Sequence, residues 1–171
     1  MKREDFDHAI RAAAGVIGVD ELLVIGSQAL HATLSEPLPG EAQRSVEVDV
    51  VPFDDADGAI GEASTFHETF GIYVQGVSEE TAVLPGGWRD RLIRYESPAT
   101  TGVVAWCLEL HDLVISKAIA NRPKDIEFCR AIVRLGAVEP GTLIDRLRTV
   151  NGLDDAQRES IEHRIAAWRK P

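Results

Sequence analysis

Apolar residues at Phe6, Ile10, Ala13 and Ile17 recur at helical spacing, predicting an amphipathic first helix over Glu4 to Val16 that Gly15 and Gly18 end. The run ELLVIGS reads as a buried strand with a glycine turn at its end, and SQALHATL as the start of a helix with Ser27 at its N-cap. SEPLPGEAQ is a loop, RSVEVDVVP is a strand stopped by Pro52, and Asp54 to Ser64 reads as a short helix. The middle is richer in β pattern. FGIYVQGV alternates, ETAVLP is a short strand, GGWRDRLIRYES is a turn and a strand, and GVVAWCLEL is a strand leading into a helix at His111-Asp112.

Beyond that point the pattern is helical. HDLVISKAIAN turns Leu113, Val114, Ile119 and Ala120 toward a core, and Pro123 suits the first turn of the next helix, KDIEFCRAIVRLG, which Gly136 stops. EPGTLIDRLRTV and DDAQRESIEHRIAAWRK are two more amphipathic helices. Strands early and helices late predict an α+β (mixed α/β) domain, with an α/β core over 1–110 and a helical region over 111–171 packed on it as one compact unit.

One strand departs from a purely apolar pattern. Glu47 and Asp49 stand at i and i+2, so both project from one face while Val46, Val48 and Val50 take the other. Two carboxylates so placed repel one another unless a cation lies between them, and Mg²⁺ commonly takes one or two carboxylates plus substrate phosphates. Periodicity alone equally allows an edge strand with a solvated face. Upstream, the Gly26-Ser27 turn is of the kind that lets backbone N–H groups approach a phosphate, with a helix N-terminus adding positive dipole.

Charge narrows the classes of function. The chain of 171 residues carries a net charge of −10, which argues against a broad DNA-binding surface while leaving room for a local basic pocket. Within it, Lys117, Arg122 and Lys124 gather three cations in eight residues, as a triphosphate tail needs for counter-charge. Asp125 sits near a helix N-terminus, where a carboxylate is favoured anyway. The five histidines show no metal-ligand spacing, and Ser78 and Ser116 have no evident base partner, so zinc and hydrolase chemistry are unsupported. Cys107 and Cys129 read as buried thiols in a reducing cytosol. No run approaches the roughly 20 apolar residues of a membrane span, and the charged MKREDFDHAI lacks the apolar core of a signal peptide; the expected location is cytoplasmic.

Strand, Gly26-Ser27, helix, loop and acidic–hydrophobic–acidic strand together resemble the nucleotidyltransferase signature of the polymerase-β-like superfamily. That resemblance implies a nucleotidyltransferase-like mixed sheet with an N-terminal helix and a C-terminal helical bundle. It also implies that Gly26 and Ser27 hold the NTP and that Glu47 and Asp49 are catalytic residues binding Mg²⁺. LELHDLVISKAIANRPKDIEF resembles the segment after the sheet in AbiEii-type and DUF6036 nucleotidyltransferases, where a helical lysine precedes an Arg-x-Lys-Asp turn. The matching residues are Lys117, Arg122, Lys124 and Asp125, implying nucleotide-binding roles for the three cations and catalytic roles for Lys117 and Asp125. FGIYVQGVSEETAVLPGGWRDRLI is also similar to the DUF6036 version, so the resemblance runs from about Glu21 to about Gly136.

The implied activity is transfer of a nucleotide from an NTP to an acceptor, tRNA in several members. Some members are toxins, which implies a cognate antitoxin protein as partner. The rival readings are a non-catalytic nucleotide- or protein-binding module on the same fold and a modifier of small, cationic molecules. Three departures stand out: Glu47 occupies a position where many relatives have Asp, and Phe128 one where AbiEii-like members often carry Asp. A third metal carboxylate, common in the superfamily, has only Glu96 and Glu109 as candidates.

Overall fold

A computed structural model describes residues 1–51 and 58–168. Helix α1 (Arg3–Ile17) runs through Gly15 and ends at Gly18, whose φ of 78° is the left-handed conformation that closes many helices. Strand β1 (Glu21–Val24) leads into a 3₁₀ segment, Ser27–Ala32, and then a single turn, α2 (Gly40–Gln43). Strand β2 (Glu47–Val51), helix α3 (Thr65–Phe70) and strand β3 (Tyr73–Gly76) follow. Strands β4 (Ile93–Tyr95) and β5 (Val104–Cys107) complete the sheet. Four helices close the chain: α4 (Leu110–Ala120), α5 (Pro123–Arg134), α6 (Pro140–Leu147) and α7 (Asp155–Trp168).

The five strands make one mixed sheet in the order β3-β2-β1-β5-β4, so the architecture is the predicted α+β class with an N-terminal helix and C-terminal helices. Strand β1 is central, antiparallel to β2 and parallel to β5; β2 and β3 run parallel, β4 and β5 antiparallel. One apolar cluster joins sheet and helices, taking Phe6 and Ile10 from α1, Val48 and Val50 from β2, Ile115 from α4, Ile132 from α5 and Ile165 from α7. Each such side chain, taken wholly out of water, contributes about 1.5–3 kcal/mol. Helix α5 shows why it stays docked: Asp125, Phe128, Cys129, Ile132 and Val133 form one buried stripe at helical spacing.

Several local expectations are corrected. Ser27 is the first residue of a 3₁₀ segment, with Gly26 at the cap and no side-chain capping bond. ETAVLP forms no strand; it is a 3₁₀ turn, Glu79–Thr81, followed by irregular chain that packs under the cavity described below. On α4 Leu110, Asp112, Leu113, Val114, Ile115 and Ala118 are buried and Ile119 packs part-buried against the core, while Ala120 is exposed, because the helix ends at Asn121. Asp54 to Asp57 lie outside the described residues, and 58–64 is bends and turns, with Ser64 capping α3 through its hydroxyl instead.

Candidate functional site

Strand β2 lies between β1 and β3 and is therefore not an edge strand, which removes the solvated-edge explanation of its acidic pair. Val48 and Val50 are fully buried on one face, and Glu47 and Asp49 are only part-exposed on the other. Both carboxylates line a cavity of about 580 Å³, within the size range of small-molecule sites. Every residue assigned a role from the sequence borders it: Gly26 and Ser27, Glu47 and Asp49, Lys117, Arg122, Lys124 and Asp125. With Arg44 and Glu41, four basic side chains meet four acidic ones there, in a chain whose overall balance is strongly acidic.

Gly26 earns its place by size. Its backbone is extended (φ −88°, ψ −169°), a conformation open to any residue, yet a Cβ here would lie 1.6 Å from Asp49 Oδ2. The missing side chain is the space that the Asp49 carboxylate fills. Asp49 makes no side-chain hydrogen bond among the described residues. Burial, and then the neighbouring charge of Glu47, push its pKa above the usual carboxylate range, against the opposing pull of Lys117, Lys124 and Arg122.

Glu47 is held from two sides. Tyr73 donates its hydroxyl to Oε2 at 2.9 Å, and Lys124 Nζ lies 3.3 Å from Oε1. The tyrosine pKa is pushed up to about 12 by burial and by that bond, so the phenol remains a donor. Opposite, Asp125 is 1% exposed and anchors the cations: Lys117 Nζ lies 3.0 Å from Oδ1, and Arg122 Nε 2.6 Å from Oδ2. Burial opposes the Asp125 charge, but the Arg122 hydrogen bond and Lys117 together hold its pKa below the usual range. Lys117 also sits over the Phe128 ring at 5.0 Å, so Phe128 supplies a cation–π floor at this position.

Ser27 is buried, and its hydroxyl accepts from Gln28 Nε2 at 3.4 Å. The six-residue 3₁₀ segment it opens carries less aligned dipole than the full helix expected.

For a metal, no group of three or more His, Cys, Asp or Glu is placed to hold an ion among the described residues. Both candidates for a third carboxylate lie outside the cavity. Glu96 pairs with Arg94 at 2.6 Å, and Glu109 caps α4, accepting from His111 N at 3.0 Å and pairing with Arg146. The available donors are thus two carboxylates side by side, one of them free of hydrogen bonds. This set fits Mg²⁺, which takes its remaining ligands from phosphates and water.

Sequence reading missed Tyr73 and Gln75 beside the acidic pair. The parallel register sets Tyr73 opposite Glu47 and Gln75 opposite Asp49, so both face the acidic pair and border the cavity. Their signal was the i, i+2 spacing in YVQ, readable only once the β2–β3 register is known.

A mixed sheet here sets a Gly-Ser turn and an acidic pair against helix-borne cations within one α+β domain. The sequence model of one family, described as "Nucleotidyltransferase of unknown function (DUF6036)", matches residues 6–162, and the chain belongs to that family. The match extends past both ends of the motif-bearing stretch, taking in most of α1 and the first half of α7. No curated protein and no solved structure matches the chain.

Proposed function

We propose that the protein is a metal-dependent nucleotidyltransferase that moves a nucleotide from an NTP to an acceptor hydroxyl. One observation carries the reading: Gly26, Ser27, Glu47 and Asp49 share a single cavity with Lys117, Arg122 and Lys124. Gly26 and Ser27 approach the phosphates through backbone and hydroxyl, while Lys117 and Arg122, fixed by Asp125, neutralise the triphosphate tail. A Mg²⁺ held by Glu47 and Asp49 would supply charge neutralisation at the reacting phosphate. The acceptor oxygen bonds to the α-phosphorus as the bond to the β-phosphate oxygen breaks. Pyrophosphate leaves with that electron pair, and the acceptor's proton passes to water.

Asp125, buried beneath two cations, acts in this reading by placing them. The acceptor is read as tRNA, in line with the resemblance to toxin members, or as a small cationic molecule, which the acidic chain favours. Incubation with Mg²⁺ and each labelled NTP, alongside bulk tRNA or small polyamines and aminated sugars, separates the two. Label transfer that a Glu47→Ala/Asp49→Ala variant loses supports the enzyme. Nucleotide binding by calorimetry with no transfer to any acceptor replaces it with a binding module.

A further inference from the structure

Glu47 is the longer of the two carboxylates, with one more rotatable bond than Asp49 and hence more freedom to lose on binding a cation. The fold restrains it through the next strand. Tyr73, 9% exposed, sits opposite Glu47 in the parallel register and donates to Oε2 at 2.9 Å. The phenol is itself fixed from α3: the His67 ring lies 4.9 Å from the Tyr73 ring, and His67 Nδ1 accepts the Ala63 N–H at 3.1 Å. That leaves Oε1 on the side of the cavity from which Lys124 reaches it at 3.3 Å. Asp49 needs no such partner, since the gap left by Gly26 fixes its place.

We propose that Tyr73 is a positioning residue for the acidic pair, its hydroxyl locking Glu47 so that Oε1 faces the cavity on the side of Asp49, where a divalent cation would take the place of Lys124 Nζ. This rests on the reading of Glu47 and Asp49 as metal ligands. A hydrogen bond to a charged group contributes about a factor of ten or more to whatever depends on it. Because Glu47 remains part-exposed, loss of the phenol oxygen leaves no buried unpaired charge, and fold stability stays close to that of the parent.

The test is Mn²⁺ binding, by paramagnetic resonance and without nucleotide, to the parent chain, Tyr73→Phe, Glu47→Asp and the double variant. Tyr73→Phe is expected to weaken Mn²⁺ binding about tenfold with an unchanged unfolding midpoint. Glu47→Asp, whose shorter arm falls short of the phenol, is expected to weaken it as well. In that background Tyr73→Phe should matter by less than about twofold. Parent-like Mn²⁺ affinity in Tyr73→Phe, or the same loss in both backgrounds, overturns the role of Tyr73 and leaves the metal site standing. A parent chain that binds no Mn²⁺ removes the metal reading, and this inference with it.

Discussion

Asp49 and Gly26 form a pair in which one residue exists at the expense of the other's side chain. Gly26→Ala therefore drives a methyl into the Asp49 carboxylate and should abolish Mn²⁺ binding while leaving the fold intact, because the glycine's backbone is one alanine adopts. Calorimetric titration with Mn²⁺ checks this, and full affinity in the variant contradicts it. Acid has the same target: with the Asp49 pKa raised, metal binding should fade at a pH above the ordinary carboxylate range as the pH is lowered. A second residue carries a pH dependence of stability. His31 is buried, stacks on Phe6 with ring centroids 5.0 Å apart, and has no hydrogen-bond partner for either nitrogen among the described residues. Burial, with Arg3 nearby, lowers its pKa from 6.5 to about 4. The unfolded chain takes up this proton first, so stability is complete above pH 6.5 and drains away as pH falls toward 4. Between pH 7 and 4.5 the parent should lose about 2–3 kcal/mol that His31→Phe retains, measured by urea unfolding. Equal losses in the two chains would exclude His31 as the source.

At the level of elements, the start of α4 is tied down by charge. Asp112 is fully buried and takes Arg91 Nε at 2.9 Å from the 3₁₀ turn before β4, and Arg146 at 3.0 Å from α6. Beside it, His111 Nε2 accepts the Glu139 N–H at 2.9 Å, so Nδ1 carries the proton and donates to Glu109. Three elements thus meet at one helix end, and that same helix presents Lys117 to the cavity. Asp112→Asn leaves the part-buried Arg91 guanidinium without its carboxylate, while Arg146 keeps Glu109, and should cost about 3 kcal/mol in chemical denaturation. A loss below about 1 kcal/mol would mean that water replaces the carboxylate freely. The sequence showed Asp112 only as a residue near a helix start, because its partners lie 21 and 34 positions away. The edge-or-interior status of β2 was equally hidden, since period-two alternation is the same for both, and strand order is a property of the whole sheet.

Over the whole molecule, exposed cations are largely neutralised where they stand. Arg44 pairs with Glu127, Arg89 with Glu79, Arg94 with Glu96 and Arg148 with Asp145. With a net charge of −10, random duplex DNA should bind more weakly than about 10⁻⁴ M at 0.15 M salt, as filter binding can measure. Tighter, steeply salt-dependent binding would reveal a basic surface. No helix among the described residues is long and apolar enough to cross a membrane.

The chain itself determined the long helices and most of the strands, because amphipathic periodicity and glycine or proline stops are local. It also marked Gly26, Ser27, Glu47, Asp49 and the cations from Lys117 to Lys124, since residue type and close spacing already carry their chemistry. Tertiary structure decided what those residues do to each other. Only the sheet order placed β2 inside, and only its register brought Tyr73 to Glu47. Only the docking of α4 and α5 carried Lys117, Arg122 and Lys124 across some seventy residues of chain to face the acidic strand. These are long-range pairings, and nothing in the local pattern of either partner specifies the other.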